Sequence, residues 1–110
     1  YQVTHHGMAI SNHPTLLQTI APTVAIMDNG PRKGGDAATV ARLRTIPSIR
    51  AAYQLHKNEK TSAAENTDPA LIANPDPKGG EFIRVSVAPD GTKFTIRIGE
   101  DGPAQTFETR

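Results

Sequence analysis

Thr23-Val24-Ala25-Ile26-Met27 is a continuous apolar run, preceded by Ala21-Pro22 and closed by Asp28-Asn29-Gly30-Pro31. Nothing strongly polar alternates within it, so both of its faces must be shielded, as in the strands of a parallel sheet. The proline before it and the dense turn signal after it make it too short for an ordinary helix. At 110 residues and 36% hydrophobic content, the chain can build one modest core around such a strand.

The flanking sequence fits that placement. Tyr1 to Thr4 reads as a short strand that stops at His5-His6-Gly7. Ser11-Asn12-His13-Pro14 sets a cap-type residue before a proline suited to a first helical turn, and Leu16, Leu17 and Ile20 then fall on one face. Asp36 is a good N-cap for a second helix with Val40, Leu43 and Ile46 on its buried side. Arg42 and Arg44 fall outside that spacing and are expected in solvent, and Pro47 stops the helix. Ala51 to His56 makes a third strand with Tyr53 and Leu55 on one face. The order over residues 1–56 is βαβαβ, which suits right-handed crossovers in a parallel sheet.

The rest of the chain is patterned differently. Residues 57–80 are polar and interrupted by Pro69, Pro75, Pro77, Gly79 and Gly80, so a long loop anchored only by Leu71 and Ile72 is expected. Residues 81–110 carry a hairpin or meander. Ile83, Val85 and Val87 alternate with polar residues, Pro89-Asp90-Gly91 turns the chain, and Phe94, Ile96 and Ile98 alternate on the return. Ala104 to Glu108 adds a short edge strand. The fold class is therefore α/β, a βαβαβ core followed by a C-terminal hairpin or meander, all within one unit of residues 1–110.

Composition removes several function classes. Twelve Lys and Arg against eleven Asp and Glu leave a net charge of +1, not the basic excess of a nucleic-acid or membrane-surface module. The absence of cysteine excludes a disulfide scaffold, a thiolate zinc site and a cysteine nucleophile. No apolar run is long enough to span a bilayer, and no basic-then-apolar leader is visible. The opening Tyr1-Gln2-Val3-Thr4 starts as if in mid-strand, so the expectation is either that the true start was processed away or that this is a piece of something longer.

The element order places the chemistry-bearing residues. His5, His6, His13 and His56 all map to the carboxyl-end edge of the inferred sheet, where open α/β sheets hold their ligands. Imidazole is a common metal ligand and an acid or base near neutral pH. Adjacent strand residues point to opposite faces, so His5 and His6 share a site only if the strand has already ended, a turn that Gly7 permits. The plainer alternative is two surface turn histidines. His13 reads first as a solvated cap residue, His56 as a strand-end surface residue and Asp28 as part of an ordinary turn. The loop 30–35 carries Arg32 and Lys33, and its amides, with the following helix start, offer an anion-friendly rim. It matches neither G-x-x-x-x-G-K-[ST] nor G-x-G-x-x-G.

These residues also carry a family resemblance. Val3-Thr4-His5-His6-Gly7, Ser11-Asn12-His13-Pro14 with Leu16-Leu17, Pro22 to Ile26 and Asn29-Gly30 resemble the C-terminal half of metallo-β-lactamase-fold hydrolases. The closest look is to the branch of competence DNA-uptake nuclease-like domains and choline-phosphate esterases. Arg42-Leu43, Tyr53 to His56 and Ile72-Ala73-Asn74 extend it loosely. The resemblance implies half of an αββα sandwich and a zinc or other divalent metal in the intact parent. It implies His6 as the metal ligand, His5 as a catalytic, substrate-side group, and Arg32 and Lys33 as groups attracting an anionic phosphoester substrate. Met8 stands where relatives often have Ser. The main His-x-His-x-Asp-His motif is missing, so this chain by itself is expected to be inactive and at most a weak metal binder. Nucleic acid enters only as a substrate of the parent. The alternative is a non-catalytic assembly domain that self-associates through the sheet face its missing N-terminal half would cover. A nucleotide-binding domain using loop 30–35 is a third reading.

Overall fold

The computed structural model describes residues 1–110. The apolar run forms β1 (Val24–Met27) at the side of a three-stranded parallel sheet, with β2 (Ala51–His56) central and β3 (Ile72–Asn74) beyond it. Val24 lies opposite Ala51, and Gln54 opposite Ile72. The strand expected at Tyr1 to Thr4 is shorter than its sequence suggests. It makes one parallel bridge, Gln2 to Ile26, with Val3 N donating to Ile26 O at 2.8 Å and Ile26 N donating to Tyr1 O at 3.0 Å. Pairing ends there because His5 turns left-handed.

Two helices cover one face of this sheet, α1 (Pro14–Ile20) and α2 (Ala37–Arg44). Leu17, Val40 and Leu43 pack with Val3, Ala25, Met27 and Ile46 into a fully apolar cluster. The opposite face, Val24, Ala51 and Tyr53, packs on Ile96 of a second sheet. That sheet is an antiparallel meander of β4 (Ile83–Val87), β5 (Lys93–Ile98) and β6 (Ala104–Glu108). Phe94 and Phe107 stack across β5 and β6 with ring centroids 5.4 Å apart. The protein is thus α/β, in the layer order helices, parallel sheet, antiparallel sheet. No helix is long and apolar enough to cross a membrane.

Four local expectations are corrected, wholly or in part. Of the apolar positions on α1, only Leu17 is buried; Leu16 and Ile20 remain 43% exposed, because a seven-residue helix brings a single turn against the sheet. Asp36 holds the N-cap position of α2 as expected, but its side chain makes no cap hydrogen bond; its carboxylate accepts instead from Ala9 N at 2.8 Å. Arg42 is half-buried, and Arg44, though exposed as expected, is also engaged with backbone. Arg42 donates to Ala9 O and Ser11 O, each at 2.9 Å, and Arg44 to Ala64 O and Asn66 O. Planar guanidinium forks suit such pairs of carbonyls, and they tie two irregular segments to α2. Finally, residues 57–80 are more regular than a proline-broken loop. They contain two 3₁₀ turns, Ala63–Glu65 and Pro69–Leu71, and the strand β3.

Leu71 and Ile72 anchor that segment as expected, Ile72 buried and Leu71 packed on the core between the sheets, and buried amides add to them. Asn66 is 1% exposed. Its Oδ1 accepts from Asn58 N at 2.7 Å and Gln54 Nε2 at 3.1 Å. Its Nδ2 reaches Asn58 O, Thr61 Oγ1 and Ser62 O. Gln54 Oε1 accepts from Thr67 N at 2.6 Å. Ser62 donates its N–H and hydroxyl to Glu65, which holds that carboxyl below its ordinary range. Asn74 joins the sheets: its Nδ2 donates to Leu55 O and Glu81 O, and its Oδ1 accepts from Glu81 N at 2.8 Å.

Replacing Asn66 by Ala strands the Asn58 amide and the Gln54 side chain in the interior. Urea unfolding should show a loss of about 2–4 kcal/mol, since each unsatisfied buried group costs about 1–3 kcal/mol. Ser62→Ala, which touches only the exposed rim, should cost well under half as much.

Candidate functional site

At the carboxyl end of β1 two of the sequence-selected residues, His6 and Asp28, meet. His5 (φ 54°) and His6 (φ 55°) are both left-handed, and Gly7 follows at φ 79°. Each left-handed non-glycine residue costs about 1–2 kcal/mol, so the surroundings must hold the turn in place.

They do so from two sides. On one side, buried Asn12 accepts from Tyr1 Oη, Thr4 N and Thr4 Oγ1 and donates back to Thr4 O. On the other, Gly35 N donates to His6 O at 2.8 Å and Asp36 N to Gly7 O at 3.0 Å. The loop carrying Gly34 and Gly35 is held in turn by Asn58 Nδ2, which donates to both of their carbonyls. A Cβ on Gly34 (φ +75°) would lie 2.0 Å from His6 O, so only glycine lets the loop sit this close.

The turn aims His6 at Asp28. Its Nδ1 lies 3.1 Å from the Asp28 carbonyl oxygen and 3.2 Å from Oδ1. Both partners are acceptors, so Nδ1 must carry the proton, which leaves the lone pair of neutral His6 on Nε2. Gln2 Nε2 donates to the other Asp28 oxygen at 3.3 Å. The pair is open to solvent, with both side chains 44% exposed. An imidazole with Nδ1 fixed by a carboxylate and Nε2 free is oriented to accept a proton or to coordinate a cation.

The remaining predicted residues do not join it. His5 is exposed beside His6. His13 caps α1, its Nδ1 accepting from Thr15 N at 3.2 Å. His56 ends β2 with its Nδ1 buried and unpartnered, while its carbonyl accepts from Asn29 Nδ2 at 2.7 Å. No group of three or more His, Asp or Glu side chains is gathered where a metal could be held. A catalytic zinc takes about three protein ligands. His6 and Asp28 alone do not fit one.

The anion-friendly rim is also changed. Arg32 is paired with Glu59 at 3.1 Å, and Lys33 is exposed. The amides of Gly30, Gly35 and Asp36 are already used on Lys33 O, His6 O and Gly7 O, and the Asp36 carboxylate lies at the start of α2. Fewer amides of this loop are therefore free for a phosphate than its sequence suggests, and Lys33 is its unpaired basic side chain. The loop's work is to clamp the histidine turn.

Sequence reasoning passed over Gly34, Gly35, Asn12 and Asn58. The Gly-Gly doublet was the one signal that pointed to close backbone approach. Beside the site, a groove of about 860 Å³ opens between the two sheets, lined mainly by apolar side chains including Val24, Ile26, Leu55, Phe82, Val85 and Val87. Asp28 and Gln2 lie at its lining too. Compared with family models, with curated proteins and with solved structures, the chain matches none.

Gly34→Ala should destabilise the protein by about 2–4 kcal/mol, combining left-handed strain with the collision at His6 O. Gly91→Ala, equally left-handed at φ +70° but with open space around it, should cost only about 1–2 kcal/mol. In ¹⁵N spectra of the histidine rings, the Nδ1-protonated form of His6 should dominate in the wild type and lose its preference in Gly34→Ala.

Proposed function

We propose that this chain is the C-terminal half of a metal-dependent hydrolase of the metallo-β-lactamase type, whose whole acts on phosphoester-type bonds. The observation that carries this reading is the His6–Asp28 pair. A histidine at the end of a sheet strand, on a strained turn, has one ring nitrogen fixed by an acidic residue and the other free. That arrangement supports His6 as the ligand this chain contributes, with His5 beside it facing substrate. Lys33 is the freer of the two basic groups for drawing an anionic substrate, since Arg32 is shared with Glu59. The residues present fall short of a zinc site, so the chain alone should be inactive and the remaining ligands belong to a complementing half. Nucleic acid remains one substrate class for that whole.

The test is a zinc titration of the chain followed by histidine NMR. His6 Nε2 should respond first, with weak affinity, and His6→Ala should abolish that response. Asp28→Asn should weaken it by roughly 10–100-fold, the usual cost of losing an orienting partner. Phosphodiesterase activity of the longer gene product should vanish with His6→Ala. If zinc uptake and activity both survive that substitution, the reading is wrong.

A second reading, of an assembly domain that self-associates, is favoured by a separate observation. The groove between the sheets leaves Phe82, Val85 and Val87 between 40% and 64% exposed on one apolar face. Contiguous exposed apolar surface recruits partners. Sedimentation velocity should show mass rising with concentration. A single monomeric species across the range would rule this reading out.

A further inference from the structure

The open side of the groove ends on β4, and the backbone there is as informative as the side chains. Phe82 O accepts from Gly99 N and Ala88 N donates to Lys93 O, so residues 82 and 88 turn their backbone groups toward β5. In an antiparallel ladder this alternates, so with Arg84 paired to Arg97 and Ser86 to Thr95, residues 84 and 86 do the same. Ile83, Val85 and Val87 therefore point their N–H and C=O groups away from the sheet, and β4 is an outer strand with no further strand paired to it. The same three side chains line the groove. A row of outward donors and acceptors can be satisfied along its length only by another strand or by water.

Natural edges are protected by charge, proline or a bulge. β4 has no proline and pairs with β5 in unbroken register. Its single charge, Arg84, is turned back: Nη2 lies 3.0 Å from Glu100 Oε2, and the guanidinium sits 5.3 Å from the Phe82 ring centre. The charge that would repel a like strand is thus neutralised within its own chain.

We infer that β4 is a pairing edge for a second copy of this chain, the two β4 strands meeting antiparallel about a twofold axis at Val85. This rests on the assembly reading above and names its surface. The segment Ile83-Arg84-Val85-Ser86-Val87 is complementary to itself. Centred on Val85, it sets Ile83 opposite Val87 and Arg84 opposite Ser86, so no like charges face each other. Every outward backbone group of residues 83, 85 and 87 then finds a partner across the axis. Val85 and Val87, now 50% and 64% exposed, would be covered. A contact of this kind closes on itself and stops at two copies. The other outer strand, β6, offers less, because its outward-bonding positions are Ala104, Thr106 and Glu108, whose side chains lie away from the groove.

Three variants of the whole chain test this by sedimentation equilibrium. Val85→Pro removes an outward N–H while sparing the ladder to β5, as prolines on edges do. It should weaken the dimer by about tenfold or more, since each copy loses a donor to the other. Thr106→Pro, the same change on the β6 edge, should leave the dimer unaltered. Val85→Cys supplies a readout that does not need Pro to be tolerated. A hydrogen-bonded antiparallel pair brings opposed Cα atoms to about 5.5 Å, within disulfide reach. As the chain has no other cysteine, oxidation should yield a covalent dimer through residue 85, and Thr106→Cys should not cross-link. A Val85→Pro dimer as tight as wild type, or a Val85→Cys chain that stays monomeric on oxidation, overturns the pairing. If the dimer survives Val85→Pro but is lost in Leu55→Glu, self-association stands and the groove, not the edge, is its seat. A wild-type chain that never dimerises removes both.

Discussion

Gln54 lies in the central strand with its side chain wholly buried, on the face where an apolar residue would be expected, and much of the structure is organised around satisfying it. Asn66 and Thr67 supply its partners from the segment after the strand, with the His56 carbonyl at the strand's own end. A net hydrogen bond contributes only about 0.5–1.5 kcal/mol, but an orphaned buried amide costs more than that. Such a network therefore specifies one arrangement far more sharply than it stabilises it. It also extends beyond its own loop. From Asn66 it passes to Asn58, from Asn58 to the Gly34 and Gly35 carbonyls, and from Gly35 to His6. The position of the candidate site thus depends on side chains in a loop that follows it by some fifty residues.

The parts of the fold legible in the sequence are those written in apolar periodicity. The run Val24 to Met27, the Val40–Leu43 spacing and the alternations around Pro89-Asp90-Gly91 lie where their patterns place them. What stayed hidden depends on polar atoms meeting across long separations. Ile72-Ala73-Asn74 is only three residues long and follows a proline turn, so no period can announce it as a strand. Arg42 and Arg44 read as solvated because a charged side chain on a helix usually is; here irregular backbone nearby offers them carbonyls. At the site, element order located His6 and Asp28 at one sheet edge. That Asp28 is both a turn residue and the partner of His6 Nδ1 could not be read, since it depends on the left-handed path through residues 5–7.

That path gives the site its particular character. Two strained histidines braced by Asn12 and by the glycine loop form a stiff element, and stiffness there is worth more than stability. An imidazole free to rotate would offer either nitrogen to solvent. Held against Asp28, it presents one.

Asn29-Gly30 adjoins this arrangement, and its placement has a consequence for the protein's chemical lifetime. In a loose chain the glycine nitrogen attacks the asparagine side-chain carbonyl, ammonia leaves, and hydrolysis of the ring leaves an acidic residue. Here Gly30 N is engaged with Lys33 O, Asn29 is fully buried, and its amide is held by Gly30 O and His56 O. The folded molecule blocks the reaction, so conversion belongs to the moments when it opens. Once converted, the carboxylate would face two carbonyl oxygens in a site closed to water, an arrangement that strongly disfavours refolding. Each opening thus carries a risk that cannot be reversed, and the ageing of this protein should be set by how often the loop beneath its histidines comes undone.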